Sequence, residues 1–361
     1  MNVTAGKTFV VVAGGTGGHV LPGLAVAREL RQRGHSVVFV GTSRGMESKL
    51  VPREGFELRL LEAGALKNVS WRERLRTAMA LPVGFLGAAR ILGQTKPRAV
   101  FSMGGYASGP VTAMVLVKNI PLVVMEPNAV PGLAHRLIGR FVTHALLGFE
   151  QAGRFFPQGR WEVTGIPIRE EFFHVPARRE RRPFTVLITG GSQGSHRLNM
   201  AAMESLPLWA ESEALDRVLF LHQSGENEYN DVCSRYRQFG AQAEVAPYWE
   251  DMPGLFARAD VVVCRAGAST VAELSAAGRA SILVPYPYAA DQHQLRNAQA
   301  LEAAGAARVV EDCSFTGQRL FQELRALERA PERLTEMEMA ARRLARPGAA
   351  RRAAEVLEHL P

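Results

Sequence analysis

Two similar segments, about 175 residues apart, constrain the fold of this chain most strongly. In each, a run of apolar residues leads into a turn of small residues and then into helical spacing. Residues 9–13 precede Gly14–His19, and residues 184–189 precede Gly190–Ser195. Glycines in such turns let the backbone approach a ligand closely, and amides at a helix start point toward negative charge. Because strands and helices alternate after both turns, the sequence predicts an α/β protein with two doubly wound, parallel-sheet domains.

The change in charge along the chain indicates where the two domains divide. Residues 1–165 hold 20 Lys and Arg against 9 Asp and Glu, whereas residues 166–361 hold 23 against 26. Pro167 lies at this change and marks the expected connector. The apolar runs predict strands at residues 9–13, 36–41, 57–61, 99–103, 121–125 and 143–147, and then at 184–189, 217–221, 243–246, 260–264, 281–285 and 306–310.

The basic first half suggests a nucleic acid, an anionic membrane surface or an acidic ligand as a partner. Residues 67–90 combine cations and Trp71 with an uncharged apolar run that is too short to span a membrane. Such a segment is typical of an interfacial membrane contact, but an ordinary core helix with a solvated basic start would have the same pattern. The segment lacks the interleaved aromatic and basic residues of nucleic-acid binders, which argues against that class of partner.

Polar residues follow several predicted strands of the first half. Ligands of open α/β domains bind beyond the carboxyl ends of the strands. His19 closes the first glycine turn, Tyr106 lies in the loop after residues 99–103, and Glu126 and Asn128 follow residues 121–125. These four side chains are candidates for binding hydroxyl groups and accepting a proton.

The second half has its own set of loops at the same positions. Gly190–Ser195 is one, and Arg265–Glu273 is another small-residue loop that opens a helix and offers backbone amides to phosphates. The third is Tyr286–Gln294. Glu273 is expected either to cap its own helix or to reach a ribose diol.

Six motifs in this order and spacing give the chain a specific resemblance. They are GGTGGH with a following Pro-Gly, MGGYASGP, EPNAVPG, GGSQGS, RAGASTVAE and the DQHQ-x-x-NA segment. Over essentially its whole length the chain resembles the MurG family, the UDP-N-acetylglucosamine:lipid I transferases of peptidoglycan synthesis. The resemblance implies the GT-B architecture, with two Rossmann-like domains facing across a cleft. Residues 1–165 would bind the acceptor lipid and the membrane, residues 166–345 would bind UDP-GlcNAc, and a C-terminal helix of about residues 346–361 would pack back on the first domain.

The implied reaction moves N-acetylglucosamine from UDP-GlcNAc to the muramoyl 4-hydroxyl of lipid I, an undecaprenyl-diphosphate-linked peptide. Lipid II and UDP are the products, and the anomeric carbon is inverted. No cofactor is implied, and other cell-wall synthesis proteins are expected partners. Since the acceptor is anchored in the membrane, the resemblance favours the membrane interpretation of residues 67–90. It also implies peripheral attachment to the cytoplasmic face of the plasma (inner) membrane.

The resemblance also carries residue roles. The acceptor would meet Gly104, Gly105 and Tyr106, while His19 or Glu126 would be the catalytic base. An imidazole ordinarily titrates near neutral pH, which suits His19 to that role, although it could instead contact phosphates or orient its loop. The residues implied to bind UDP-GlcNAc are Thr16, Gly17, Gly18, Asn128, Arg169, Ser192, Trp249, Ala268, Ser269, Thr270, Val271, Ala272, Glu273 and Gln294. Trp249 would offer backbone groups to uracil, Glu273 would bind the ribose hydroxyls and Gln294 the sugar. His293 stands where the family often has a first glutamine.

Several other classes of protein are disfavoured. The chain has no Asp-x-Asp, which argues against a metal-clamped diphosphate and predicts no metal site. Its three cysteines form no C-x-x-C, which favours a reducing cytosol over a disulfide framework. The second predicted strand ends at Gly41-Thr42-Ser43-Arg44, without the acidic residue of a nicotinamide site. A UDP-GlcNAc 2-epimerase of the same fold and a non-catalytic membrane-docking protein remain the alternatives.

Overall fold

The computed structural model describes residues 6–15, 17–43, 45–61, 71–105, 108–178 and 183–360, with the backbone alone for residues 71–81. The chain divides into two compact units. Unit 1 holds Met1–Arg169 and Gly348–Pro361, and unit 2 holds Glu170–Pro347. Each unit has its own parallel sheet, which confirms the prediction of two doubly wound α/β domains.

Unit 1 is built on a seven-stranded sheet. Its strands are β1 (Thr8–Val12), β2 (Ser36–Gly41), β3 (Glu57–Leu60), β4 (Ala99–Ser102), β5 (Leu122–Glu126), β6 (His144–Leu147) and β7 (Trp161–Val163). The helices between them are α1 (Gly17–Gln32), α2 (Glu47–Arg53), α3 (Trp71–Thr95), α4 (Ser108–Val117) and α5 (Leu133–Ile138). All neighbouring strands are parallel, in the order β3-β2-β1-β4-β5-β6-β7.

Unit 2 repeats this plan with six strands. They are β8 (Phe184–Thr189), β9 (Val218–Gln223), β10 (Gln242–Ala246), β11 (Val261–Cys264), β12 (Ser281–Leu283) and β13 (Ala307–Val309), in the order β10-β9-β8-β11-β12-β13. Its helices are α6 (His196–Glu211), α7 (Tyr229–Gln238), α8 (Met252–Arg258), α9 (Ala268–Ala277), α10 (His293–Ala303), α11 (Gly317–Glu328) and α12 (Pro331–Leu344).

The strand order of each sheet creates one place suited to a ligand. In unit 1 the chain moves outward from β1 to β3 and then crosses to β4 on the other side of β1, so the ends of β1 and β4 lie side by side, with Val12 paired to Ser102. In unit 2 the same reversal brings Thr189 of β8 beside Cys264 of β11. Crevices at such reversals are where doubly wound sheets bind ligands.

The central strands are buried on both faces, which explains why apolar runs in the sequence predicted them. The side chains of Phe9–Val12 are all fully buried, as are those of Val186–Ile188. Parallel sheets covered by helices on both faces require such continuous apolar segments instead of an alternating pattern. The glycine turns therefore begin where buried strands end.

The ambiguous segment at residues 67–90 lies mainly in α3. Ala88, Ile91 and Leu92 are buried in the core of unit 1. On the exposed side of the same helix, Val83 and Leu86 leave 53% and 72% of their surface open. Residues 67–70 and the side chains of 71–81 lie outside the description. The described part of α3 therefore has one side in the core and one side with exposed apolar residues. None of the helices described could cross a membrane, given their length and polarity.

The last helix, α13 (Ala349–His359), belongs to unit 1 and packs against α1. Glu358 is its main anchor. The Glu358 carboxylate meets Arg33 at 3.0 Å and His35 Nε2 at 2.7 Å, and its carbonyl accepts a hydrogen bond from Lys7 Nζ. The C-terminal end of the chain is therefore held by the first unit, after the chain has passed through the second.

Candidate active site

The glycine turn after β1 and the loop after β4 are in direct contact. A Cβ atom placed on Gly105 would lie 2.3 Å from the carbonyl oxygen of Gly14, and Gly105 has a φ of +90°. Only glycine can therefore bring these two loops together. His19 follows as the third residue of α1 and is half-buried. Gly17 and Gly18 open the helix, whereas Thr16 and Tyr106 lie outside the described residues.

The buried carboxylate of Glu47 binds the backbone of the first glycine turn. Glu47 accepts hydrogen bonds from the amide of Gly15 at 2.9 Å and from the amide and hydroxyl of Thr42, both at 2.8 Å. Its side chain is fully buried. A negative charge therefore lies directly under the turn that carries His19.

Glu126 holds the next loop in the same way. Its carboxylate accepts from the Asn128 amide at 3.0 Å, the Asn128 side chain at 3.2 Å, the Gly132 amide at 3.1 Å and His135 Nδ1 at 2.8 Å. Burial alone would raise the pKa of Glu126, but the hydrogen bond and charge of His135, with the bonds from Asn128, lower it below its usual value. Glu126 is 1% exposed, so it is an ionised group engaged with its own loop.

His135 connects this loop to the neighbouring one. Its ring is buried, and within the described structure its Nε2 atom has no hydrogen-bond partner. A Cβ atom on Gly104 would lie 3.6 Å from that nitrogen. The ring thus packs beneath Gly104, and it supports the loop in which Gly104 and Gly105 lie.

In unit 2 the turn after β8 packs closely against the turn after β9. A Cβ atom on Gly194 would lie 2.0 Å from the carbonyl oxygen of Ser224, and one on Gly225 would lie 2.4 Å from that of Gln193. Both glycines have positive φ. Ser192, at the outer end of the first turn, is exposed. The turn is therefore open to a ligand on one side and fixed by backbone contact on the other.

The start of α9 lies after the adjacent strand β11. Gly267 is its N-cap and makes no side-chain cap, so the amides from Ala268 to Thr270 point out of the N-terminal end of the helix. The Val271 amide makes the first helical hydrogen bond, to the carbonyl of Gly267 at 2.9 Å. Ser269, Thr270 and Ala272 are half-buried, as is Glu273. Glu273 is the sixth residue of α9 and lies beyond its first turn. This geometry suits an anion at the amides, with Glu273 further along the helix.

Arg265 joins the loops of unit 2. Its guanidinium donates to Ser195 Oγ at 3.1 Å, to the carbonyl of Val284 at 3.1 Å and to Asp312 at 2.6 Å, and it lies 5.5 Å from the ring centre of Tyr286. The first turn and the end of β12 are thereby linked through one cation. That cation also adds positive charge beside the start of α9.

The orientation of Gln294 is set by two backbone amides. Its side-chain oxygen accepts from Ala266 N at 3.2 Å and from Tyr286 N at 2.9 Å. Because the oxygen is engaged, the amide nitrogen is the end left to meet a ligand. Its neighbour His293 hydrogen bonds to its own turn through Ala290.

Sequence reasoning missed two side chains that shape these sites, Glu47 and Gln223. Gln223 is 3% exposed and bonds to the amide of Trp249 at 3.0 Å. A signal existed for Gln223, since it is a polar residue at the end of an apolar strand. The signal for Glu47 was ambiguous, because an acidic residue near a helix start usually interacts with that helix.

Arg169 is the last residue of unit 1 before the chain enters unit 2, and it is half-buried. Across the part of the chain that the structure describes, no three His, Cys, Asp or Glu side chains converge as metal ligands would.

Comparisons with known proteins agree with this architecture. The glycosyltransferase family 28 N-terminal domain matches residues 9–147, and the family 28 C-terminal domain matches residues 185–356. A UDP-N-acetylglucosamine–N-acetylmuramyl-(pentapeptide) pyrophosphoryl-undecaprenol N-acetylglucosamine transferase of Solibacter usitatus (strain Ellin6076) is 50% identical, over 99% of this chain and 97% of the relative.

Solved structures agree as well. The crystal structure of MurG from Acinetobacter baumannii is 30% identical with a TM-score of 0.82, over 98% of this chain and all of that one. A UDP-GlcNAc 2-epimerase from Neisseria meningitidis, 14% identical with a TM-score of 0.68, covers 98% of this chain and all of its own, and shares the fold alone. The family predicted from the six motifs is confirmed: the chain belongs to glycosyltransferase family 28 and, within it, to the MurG family.

Proposed function

We propose that this protein is the inverting glycosyltransferase that moves N-acetylglucosamine from UDP-GlcNAc to the muramoyl 4-hydroxyl of lipid I. The observation that carries the proposal is the strand reversal of unit 2. There a fixed glycine turn, the first-turn amides of α9 and the Arg265 cation converge on one edge of the sheet. Such a site suits the diphosphate of a sugar nucleotide.

The donor is assigned to unit 2 by this chemistry. Ser192 and the segment from Ala268 to Ala272 take the diphosphate, and Glu273 takes the ribose hydroxyls. Backbone groups at Trp249 hold uracil. Gln294 donates from its amide nitrogen to the sugar, since its oxygen is engaged by backbone amides. Arg169, Thr16, Gly17, Gly18 and Asn128 complete the donor set that the family resemblance implies.

The acceptor is assigned to the loops of unit 1, at Gly104, Gly105 and Tyr106. A sugar hydroxyl is a weak nucleophile, so a base must take its proton as the oxygen attacks the anomeric carbon. We assign this role to His19. Glu126 is a poorer candidate because it is buried and accepts four hydrogen bonds within its own loop. Its role is to position Asn128.

The reaction then balances within these residues. The bond between the 4-oxygen and the anomeric carbon forms as the bond to the diphosphate oxygen breaks, and the hydroxyl proton passes to His19. UDP departs with added negative charge, which the α9 amides and Arg265 stabilise. With no Asp-x-Asp in the sequence, these groups are proposed to act without a metal.

Peripheral binding at the cytoplasmic face of the membrane is part of the proposal. Val83 and Leu86 on α3, with Leu137 on α5, are strongly exposed, as is Phe141 just beyond α5. We call these four residues the apolar surface. Both α3 and α5 pack against α4. Arg140 stacks near Phe141 and supplies positive charge for an anionic headgroup.

Vesicle sedimentation tests this attachment. Wild type should pellet with phosphatidylglycerol vesicles at low salt and much less with phosphatidylcholine vesicles, and the double variant L86S/L137S should remain in the supernatant. The control is M339S, which removes an apolar side chain of unit 2 that is 57% exposed. Wild type that stays in solution with the anionic vesicles would contradict the membrane role.

Transfer itself is tested with radiolabelled UDP-GlcNAc and a lipid I analogue, in the presence of EDTA. Labelled lipid II analogue should form, and H19A should reduce kcat by about 10²- to 10⁴-fold while UDP binding persists. Product formed only after metal addition would overturn the metal-free mechanism. Conversion of UDP-GlcNAc to its 2-epimer without transfer would establish the epimerase alternative. UDP binding with neither reaction would favour a docking protein.

A further inference from the structure

Gln223 is a buried polar side chain outside the set of residues proposed to bind the substrates. It is the last residue of β9 and is 3% exposed. It lies between the glycine turn after β8 and the segment that follows β10. Under the proposed function these are the diphosphate site and the uracil site, and Gln223 is placed to connect them.

The two ends of its side-chain amide make different contacts. Its nitrogen donates to Thr189 Oγ1 at 3.2 Å and to the carbonyl of Gly191 at 2.9 Å. Its oxygen accepts the amide of Trp249 at 3.0 Å. A glutamine satisfies both sides because it carries a donor and an acceptor at the same distance from the backbone.

Backbone bonds already hold the turn after β9 near the segment that follows β10. Ser224 N donates to the carbonyl of Ala246 at 3.1 Å, and Gly225 N donates to that of Pro247 at 3.2 Å. These bonds end one residue before Tyr248. The Trp249 amide is then fixed by the Gln223 side chain, so the orientation of that peptide depends on Gln223.

We propose that Gln223 is a positioning residue that couples recognition of the nucleotide base to recognition of the diphosphate. This inference rests on the proposed function. Through its oxygen it sets the backbone at Trp249 against the base, and through its nitrogen it sets Gly191 in the diphosphate turn. Compared with uracil, cytosine exchanges the hydrogen-bond donor and acceptor at ring positions 3 and 4. Misplacement of the backbone at Trp249 should therefore reduce the preference for uracil over cytosine.

Two variants separate the two ends of the amide. Q223M removes both, whereas Q223E keeps an acceptor for Trp249 and loses the donor to Gly191. The added carboxylate also opposes the diphosphate. Q238M and Q238E are matched controls, because Gln238 is exposed at the end of α7 and bonds only locally, to Arg235.

Calorimetric titration of the full chain with UDP, CDP and UMP provides the test. For Q223M, the ratios of Kd for CDP over UDP and for UMP over UDP should both fall, each by about five-fold. For Q223E, the UMP ratio alone should fall, and the controls should match wild type. A purely structural role would raise every Kd and leave the ratios unchanged, which would overturn the inference. Wild type without affinity for UDP would overturn the proposed function instead.

Discussion

The two units begin with the same strand–turn–helix arrangement, but the buried side chains that hydrogen bond to their glycine turns differ. In unit 1 a fully buried carboxylate, Glu47, binds the turn, and a second carboxylate, Glu126, binds a neighbouring loop. In unit 2 the neutral amide of Gln223 binds the turn, and the Arg265 cation joins it to the end of β12. The same fold therefore binds its glycine turn with an acidic side chain in unit 1 and with a neutral side chain in unit 2.

This difference fits the two ligands of the proposed reaction. Buried negative charge in unit 1 favours a neighbouring group that gains positive charge, such as an imidazole taking a proton. The neutral amide of Gln223 adds no negative charge that would repel an anion from the helix starts of unit 2. The two glycine turns alone therefore do not distinguish the units, whereas the side chains that bind these turns do.

The largest expected effect comes from removing the cation of unit 2. R265M removes the nearer of the two cations paired with Asp312, together with the bonds to Ser195 and Val284, so the free energy of unfolding of unit 2 should fall by about 3 kcal/mol. UDP affinity should fall at least about ten-fold. Denaturant unfolding and calorimetry measure the two. In R258M, which breaks an exposed pair with Glu244, stability should change by less than about 1 kcal/mol. Unchanged UDP affinity in R265M would break the comparison.

A smaller effect is expected from neutralising the carboxylate of unit 1. In E47Q the amide cannot accept from both Thr42 and Gly15, which should cost about 2 kcal/mol of stability. Transfer should slow much more than UDP binding weakens, because the groups proposed to hold the base, the ribose and the diphosphate lie in unit 2. The control E54Q alters a partly exposed ion pair with Arg28. A loss of UDP affinity in E47Q equal to its loss of activity would argue against this division of roles.

The next effect in size is a difference between the two units in how their stability depends on pH. Burial lowers the pKa of His222 to about 3, so this imidazole stays neutral in the folded protein. In the unfolded chain, the same imidazole takes a proton below the ordinary pKa of 6.5. Unit 2 should lose about 1.4 kcal/mol per pH unit as the pH falls below 6.5. The contribution of Glu126, whose pKa is lowered, persists until the pH falls below about 4.5.

Hydrogen exchange, read on peptides from each unit between pH 7 and 5, measures this order. H222N should remove the pH dependence of unit 2, and H359N, at an exposed position, should keep it. Simultaneous loosening of both units above pH 5 in wild type would contradict the assignment to His222.

The smallest effect is expected at the apolar surface. Leu86 is 72% exposed, so L86S should change the free energy of unfolding by less than about 0.5 kcal/mol. A88S replaces a fully buried residue on the same helix and should destabilise more. Denaturant midpoints compare the two. A large loss in L86S would mean that this leucine serves the core of unit 1 instead of a membrane.

The strands that could be predicted from the sequence share one physical property. The central strands, such as β2 and β8, were predicted with their observed bounds because burial on both faces requires an uninterrupted apolar run. Short peripheral elements escaped prediction. The strand β7 has three half-buried residues, and the helices α5 and α8 have six and seven residues, too few to display a period.

The sequence by itself determined the fold class, the glycine turns and the family, because these depend on local patterns of apolar residues, glycines and ordered motifs. Tertiary structure alone decided which side chains support the turns. Gln223 meets Gly191 across 32 residues of sequence, and Glu47 meets Gly15 across another 32. Such contacts follow from the order of strands in a sheet, which brings distant loop ends together at one edge. Tertiary structure likewise surrounds Glu126 with four hydrogen-bond donors, and local sequence does not reveal how many donors will surround an acidic group.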